Sequence, residues 1–545
     1  MAGQLTGPGA PPRSGMPTGL AGVAAAALAL GVTEFVAGAL PGAVSLVGAV
    51  GDAAVDWLPT PVVRFGIEVF GTDDKTVLVG VILIVSAVVG VVLARVGDRR
   101  PAVGPAGFAA FGLVGGLAAL RDPQARGWAV AVCAVAGVAA GSAALRLLLN
   151  LAARGERGRG PGRHPDRETP PAPEPSPAPE PSTPAQPIGV PDRRAFLAAA
   201  GTVAGVAVGA AALGRSFSRS AASASRLRYV LPGVARPLPP APPGATAAAE
   251  GMTPVVVPND RFYRIDTRLL GPPRVDVEGW RLRFTGMVER PFELTYEELL
   301  ALPMVEEWVT LACVSNEVGG DLVGNASWRG VPLATLLERA GVKDGADQIV
   351  GRAVDGFTVG FPTGAATDGR HALVAVGMNG ELLPTDHGFP ARLVVAGLYG
   401  YVSATKWLDE VHLTTWDSFD AYWIPRGWSK SAPVKVQSRI DAVRPTPVVA
   451  GPVVVAGVAW APHRGITRVE VQVDDGPWRE AELAEELSRS AWRQWLFRWS
   501  ATAGSHRLRV RATAGDGETQ TADVSPPAPD GATGYHTIRV RVEES

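Results

Sequence analysis

Two cysteines occur in the 545-residue chain, and one of them, Cys313, stands where a thiol can do chemistry. The stretch Trp308 to Asp321 reads WVTLACVSNEVGGD, so an apolar, strand-like run delivers Cys313 to a polar turn that closes on glycines. A thiolate presented in that way can reach a soft metal centre, which makes Cys313 a candidate ligand. On this stretch alone a second reading stays open, because a free cysteine is more often a small buried hydrophobe.

Composition narrows the classes. The length suggests about three or four structural units. Lys+Arg 51 against Asp+Glu 52 provides no general positive field, which argues against a nucleic-acid partner. Cys133 and Cys313 lie in regions of very different composition and make no disulfide framework.

The elements that must position Cys313 begin far upstream. From about Gly19 to Leu40 the sequence is almost unbroken Ala, Val, Leu and Gly, and further apolar runs follow near Thr76 to Val96, Ala102 to Leu120 and Gly127 to Ala152. Each is long enough to cross a bilayer as a helix, so residues 1–152 read as a transmembrane helical domain of about four spans. Residues 41–75 are interrupted by Asp52, Asp56, Arg64, Glu68 and Asp73 and read as an amphipathic excursion outside the cytoplasm rather than a span. Arg95, Arg99 and Arg100 after the second run, and Arg154, Arg157, Arg159, Arg163 and Arg167 after the fourth, mark cytoplasmic ends. Glu34, ionisable inside the first run, reads either as a functional or helix-pairing group or as an end-of-helix carboxylate near the interface.

Glu168 to Pro187, ETPPAPEPSPAPEPSTPAQP, is by composition a stiff, disordered linker within a cytoplasmic Arg/Pro-rich stretch, 153–190. Asp192-Arg193-Arg194-Ala195-Phe196-Leu197 then opens a weakly hydrophobic run. Residues 191–215 are either a twin-arginine-like signal anchor or a fifth span, and both readings place everything after about Arg215 outside the cytoplasm. A linker over 216–253 leads to a mixed α+β region, 254–445. In it Arg281 to Val288 alternates like a half-buried strand, Thr295 and Glu298 form a capping box, and a helix runs from Pro332 to Ala340 with proline in its first turn. Strands at Gly356 to Gly360 and Ala391 to Val395 add to the pattern. Residues 446–545 read as short strands over Val453–Trp460, Ile466–Val473, Trp492–Ser500, His506–Ala512 and His536–Val542, an antiparallel sandwich with Trp478, Trp492, Trp495 and Trp499 in its core.

Five segments stand in order and register: Cys313-Val314-Ser315-Asn316; Asn325-Ala326-Ser327-Trp328-Arg329-Gly330-Val331-Pro332-Leu333; Met378-Asn379-Gly380-Glu381-Leu382-Leu383-Pro384; His387-Gly388-Phe389-Pro390-Ala391-Arg392; and Ser403 to Trp407. Together they resemble the sulfite oxidase family of molybdenum oxidoreductases, from about Pro254 to the C-terminus. The resemblance implies one molybdenum per chain, held by a pyranopterin dithiolene, oxo groups and one protein thiolate that falls on Cys313. It implies that His387, Arg392, Ser403 and Lys406 hold the pterin and its phosphate, with Asn259, Phe262 and Tyr263 matching the entry segment less closely. It also implies that the C-terminal sandwich is an immunoglobulin-like dimerisation domain, around Gly457 to Trp460, His463 to Ile466 and Asp474 to Trp478.

Departures concern the substrate. The family's sulfite oxidases carry paired arginines after the cysteine and another arginine before the Lys-Trp pair, whereas this chain reads Glu317-Val318 and Ser403. A carboxylate at Glu317 is expected to oppose a sulfite dianion, with Arg261 or Arg264 restoring some positive charge. The expectation is therefore a membrane-anchored, extracytoplasmic molybdopterin oxidoreductase acting on a sulfoxide, N-oxide or other weakly charged sulfur compound. Sulfite oxidation, or a non-enzymic surface module that keeps the fold, are the alternatives. The sequence shows no haem-binding domain or iron-sulfur cysteine set, so a separate haem protein or quinone-linked membrane protein is the expected electron partner.

Overall fold

Long apolar runs form helices because a helix satisfies every interior amide within its own segment. The computed structural model describes residues 15–70, 73–157, 193–247 and 249–544. It divides into two units, Met1–Arg219 and Ser220–Ser545. The first holds α1 (Gly15–Ala39), α2 (Leu46–Trp57), α3 (Thr60–Phe70), α4 (Asp74–Gly97), α5 (Val103–Ala119) and α6 (Gly127–Arg157), and α7 (Arg193–Arg226) begins in it. Among the described residues α1, α4, α6 and α7 are each long and apolar enough to cross a membrane. The run at 102–120, expected to be a span, gives only the 17 residues of α5. That is about 25 Å of helix, short of the ~30 Å hydrocarbon core. The proline-rich linker 168–187 lies outside the described residues.

Glycines bring the helices of this unit into contact. A methyl group on Gly22 would sit 2.2 Å from the Gly90 carbonyl oxygen, so α1 and α4 touch backbone to backbone. Glu34 serves a helix-pairing contact. It is buried in α1, and Ser45, whose Oγ accepts from the Gly48 amide at 2.9 Å to cap α2, donates to its carboxylate at 2.5 Å.

The second unit is β-rich. Its first part contains β1 (Leu282–Gly286), β2 (Phe292–Leu294), β3 (Val305–Ala312), β4 (Val323–Pro332), β5 (Gln348–Ala353), β6 (Thr358–Pro362), β7 (Ala372–Met378), β8 (Glu381–Leu382), β9 (Arg392–Val395) and β10 (Leu408–Thr414), with α8 (Tyr296–Leu300), α9 (Leu333–Ala340) and α10 (Gly400–Ser403). One sheet runs β2-β1-β10-β5-β6, with β1 and β10 parallel. The other runs β3-β4-β7-β8, with β9 added on β7. Both sheets bury their inner faces in one core containing Phe284, Trp328, Leu373 and Val394.

The local signals are met with small shifts. Thr295 and Glu298 close the capping box of α8 as expected. Pro332 is the N-cap of α9 rather than part of its first turn, and Gly341 ends the helix at φ +67°, a backbone region open to glycine without strain. The expected strand at 356–360 starts two residues later, because Gly356 occupies the hairpin turn at φ +88°.

The chain continues through β11 (Gln437–Arg444), β12 (Gly451–Trp460), β13 (Ile466–Val473), β14 (Arg479–Glu480), β15 (Glu482–Leu483), β16 (Arg493–Ala501), β17 (Gly504–Ala514) and β18 (His536–Val542). Sheets β11-β12-β16-β15 and β14-β13-β17-β18 share a core of Val455, Trp495, Val471 and Val510. β11 lies before residue 445, yet it pairs with β12 along the sandwich. Trp492, Trp495 and Trp499 are buried, whereas Trp478 is half-exposed at the surface, edge-on to Tyr535 and beneath Arg511.

A polar contact joins these layers. Asn325 is fully buried, donates to the Val255 carbonyl at 2.9 Å and accepts from Thr310 Oγ1 at 3.0 Å, while Thr310 Oγ1 accepts from the Trp492 amide at 2.7 Å. Asn325→Leu deletes both side-chain bonds while their partners stay buried, and is expected to destabilise this unit by about 1–3 kcal/mol. A lowered urea midpoint at constant slope in tryptophan-monitored unfolding would show it.

Candidate active site

Cys313 follows directly on the last residue of β3, and its loop is closed by short-range bonds. The Cys313 amide donates to the Leu322 carbonyl at 2.9 Å, the Leu322 amide to Asn316 Oδ1 at 2.8 Å, and the Gly320 amide to the Glu317 carbonyl at 2.9 Å. The sandwich braces the same loop from behind. Arg439 Nη1 donates to the Gly320 carbonyl at 2.6 Å, and a methyl group on Gly319, at φ +83°, would strike His536 at 2.3 Å. One face of the loop remains open to a cleft.

Six of the expected site residues line that cleft: Cys313, Phe262, Tyr263, His387, Arg392 and Lys406. Cys313 is 8% exposed, and burial pushes its thiol pKa up, so the bare site favours the protonated thiol. Burial also raises the Tyr263 phenol, which stays a hydroxyl donor.

The donors come from one turn and one helix end. A 3₁₀ turn, Thr385–His387, and Gly388 at φ +111° lead through Pro390 to Arg392 on β9. The His387 ring contacts Asn259 O through Nε2 at 2.7 Å, and since a carbonyl only accepts, Nε2 carries the proton and Nδ1 is left as an acceptor. Burial depresses the His387 pKa to about 4, so the ring is neutral near pH 7. Arg392 is buried over the Trp328 ring, with its guanidinium carbon 4.9 Å from the centroid, and donates to the His387 carbonyl at 3.0 Å. Burial lowers its pKa to about 10, which still leaves it charged, and among the described residues no carboxylate pairs with it. Lys406 follows α10, pairs with Asp266 at 3.0 Å and donates to the Asp386 carbonyl at 3.2 Å.

Two expected side chains do not reach the cleft. Ser403 is fully buried, and its hydroxyl donates to the Tyr399 carbonyl at 3.0 Å, spent inside the turn of α10. Asn259 donates to Glu381 Oε1 at 2.6 Å and accepts from Asn379 Nδ2 at 2.8 Å, so it acts on the β7–β8 hairpin and, through its carbonyl, on His387. Glu317 is solvent-exposed and absent from the cleft wall, so its carboxylate does not set the charge there. Arg264 does line the cleft, but it is paired with Asp386 at 2.7 Å.

Sequence reasoning missed Asp266, Phe357, Tyr401 and Trp423, which also line the cleft. Asp266 was discoverable, three residues beyond Tyr263 in the same segment. Phe357 and Trp423 arrive from a hairpin turn and from the chain beyond β10, and no periodicity marks either.

The depressed His387 pKa carries a sign. The unfolded ring protonates near 6.5 and the folded ring near 4, so the unfolded state binds more protons between these values. Stability is therefore lost as pH falls from 6.5 toward 4, by up to ~3 kcal/mol. His387→Gln is expected to flatten the melting temperature of the unit across that window, as read by differential scanning calorimetry.

Residues 269–423 match the family model described as "Oxidoreductase molybdopterin binding domain", a span that includes Cys313, His387, Arg392 and Lys406. The chain is 30% identical over 299 residues to "Sulfite oxidase" of Arabidopsis thaliana, covering 45% of this chain and 73% of that protein. It is 28% identical over 309 residues to "Sulfite oxidase, mitochondrial" of Rattus norvegicus, covering 48% of this chain and 56% of that protein, so it spans little more than half the length of that relative. It is 32% identical over 180 residues to "Nitrate reductase [NADH]" of Solanum lycopersicum, 28% of this chain and 20% of that protein. A buried cysteine opening on a cleft with an uncompensated guanidinium, in a chain that matches these proteins over the same region, places it in the sulfite oxidase family of molybdopterin-dependent oxidoreductases.

Proposed function

We propose that this chain is a membrane-anchored enzyme that transfers an oxygen atom to or from a neutral or weakly charged substrate such as a sulfoxide or N-oxide, with its active site outside the cytoplasm. The observation that carries the reading is the convergence of Cys313, His387, Arg392 and Lys406 on one cleft.

The donor set fits the molybdenum–pterin group of the family. A soft sulfur on a braced loop suits a soft metal, and a buried guanidinium with no acid partner among the described residues calls for an anion such as the pterin phosphate. When bound, the group supplies a two-electron redox couple that the amino acids lack. Cys313 would hold the metal, and Arg392 would grip the phosphate. Lys406, paired with Asp266, would add a point charge, and His387 would offer Nδ1 as an acceptor to the group. Phe262 and Tyr263, stacked with ring centroids 5.2 Å apart, close the cleft against water. Asn259 supports His387, and Ser403 shapes the turn before Lys406.

Charge supports the substrate class. Arg264 is paired with Asp386 and Lys406 with Asp266, which leaves little positive field for a sulfite dianion once Arg392 faces the cofactor. Sulfite, the substrate in the names of two of the relatives, is the competing choice. Topology supports the location, since Arg95, Arg99 and Arg100 follow α4 and Arg193-Arg194 open α7, so that α7 would carry the β-rich unit outward. On this reading α7 serves as a signal anchor or span. The two-sheet sandwich is the immunoglobulin-like domain of the family and would favour a homodimer. Electrons would pass to a separate haem protein or quinone-linked membrane protein.

The purified chain is expected to hold about one molybdenum by elemental analysis. Cys313→Ser should reduce turnover with an artificial electron carrier to background, and unchanged turnover would remove Cys313 from the reaction. Arg392→Ala should weaken the hold on the cofactor by about 2–5 kcal/mol, read as molybdenum lost on dialysis. A panel of sulfite, sulfoxides and N-oxides decides the substrate class.

A further inference from the structure

The cleft carries an aromatic lining beyond the residues assigned above to the cofactor. Phe357 comes from the β5–β6 turn, Tyr401 from α10 and Trp423 from the segment beyond β10, and all three are half-buried. They are held by rings behind them. Phe357 lies 5.5 Å from Tyr422, Tyr422 lies edge-on to Trp423 at 5.1 Å, Trp423 lies edge-on to Trp428 at 6.3 Å, and Trp428 lies 5.7 Å from Tyr401. The Tyr401 hydroxyl donates to the Ser429 carbonyl at 2.5 Å, so its polar end is already engaged and the ring is what remains to offer. Tilted and edge-on ring contacts of this kind fix the orientation of each side chain, so the frame exists before any ligand arrives.

The charges of the same wall do not compete with it. Arg264, Arg392 and Lys406 stand against Asp266 and Asp355 among the lining residues, and two of the three cations already hold carboxylates. A flat apolar group therefore gains dispersion and ring contacts here, while a small dianion gains nothing from three aromatic faces.

We propose that the substrate is a neutral sulfoxide or N-oxide bearing an aryl or similarly flat apolar group, seated against Phe357, Tyr401 and Trp423. The proposal rests on the oxygen-transfer reading above and names the substrate within it. For an aryl sulfoxide the S–O bond breaks, the sulfur is reduced to the sulfide, and the oxygen leaves as water with two protons. The two electrons come from two equivalents of a one-electron donor of the viologen class.

The test uses the full, molybdenum-loaded chain in detergent. Titration calorimetry compares methyl phenyl sulfone with dimethyl sulfone, neither of which is turned over. Steady-state assays compare methyl phenyl sulfoxide, dimethyl sulfoxide and sulfite with reduced viologen or ferricyanide as appropriate. The aryl sulfone is expected to bind about tenfold tighter or better, and Trp423→Leu and Phe357→Leu, from different elements, should each erase most of that advantage in Kd and in kcat/KM. Equal binding of the two sulfones by the native chain overturns the proposal without needing a variant. An aryl preference that survives both substitutions also overturns it. Loss of molybdenum from the variants would assign the rings to the cofactor seat and overturn it as well. If dimethyl sulfoxide is reduced in any of these cases, the oxygen-transfer reading stands and only the aryl seat is lost. If sulfite alone is turned over, both fail.

Discussion

A guanidinium sealed into a cleft wall, with no carboxylate paired to it among the described residues, is the constraint on which the cleft depends. Burying a charge is costly unless something of opposite sign offsets it, and among the described residues Arg392 meets carbonyl oxygens and the face of Trp328. The fold pays that cost by pre-orienting the group. Its β9 strand lies against β7, its carbonyl partner sits on the His387 turn, and the ring beneath it is itself pinned by a bond from Trp328 Nε1 to the Val309 carbonyl at 3.1 Å. An anion entering this cleft meets a donor that needs no rearrangement, which is the condition for tight and specific hold.

The cysteine is held by a different device. β3 and β4 pair without interruption from Val305–Gly330 to Ala312–Val323, so the loop between them begins and ends on a rigid ladder. Its interior bonds fix the turn, and Arg439 fixes its tip. The Cys313 thiol and the Arg392 guanidinium thus reach the same space from separate elements, one on a loop and one on a strand. Positions set by strands and closed loops hold a site within the tolerance that metal and pterin chemistry requires.

How much of this could be read in advance depends on the reach of each signal. Local signals were legible: the Thr295–Glu298 box, the Gly341 stop, the boundaries of β13 and β18 and the long apolar helices all depend on residues within a few positions of one another. That Cys313, His387, Arg392 and Lys406 share one cleft was legible through their motifs. Their partners were less so. Ser403 and Asn259 were assigned side-chain roles by position in a motif, but the fold spends those side chains on backbone and hairpin contacts. Glu317 looked adjacent to the metal because it is four residues from Cys313, yet a closed loop can turn a near neighbour to solvent. The aromatic wall could not be read at all, since Phe357, Tyr401 and Trp423 meet only after two sheets have formed.

The bond from Arg439 to the Gly320 carbonyl, together with the fit of Gly319 against His536, ties the fate of the cysteine turn to residues more than a hundred positions further along the chain. The geometry of the Cys313 turn consequently rests on the sandwich as well as on β3 and β4. A lesion in β11 or β18 that looks remote from the cleft is transmitted to its wall through these two contacts.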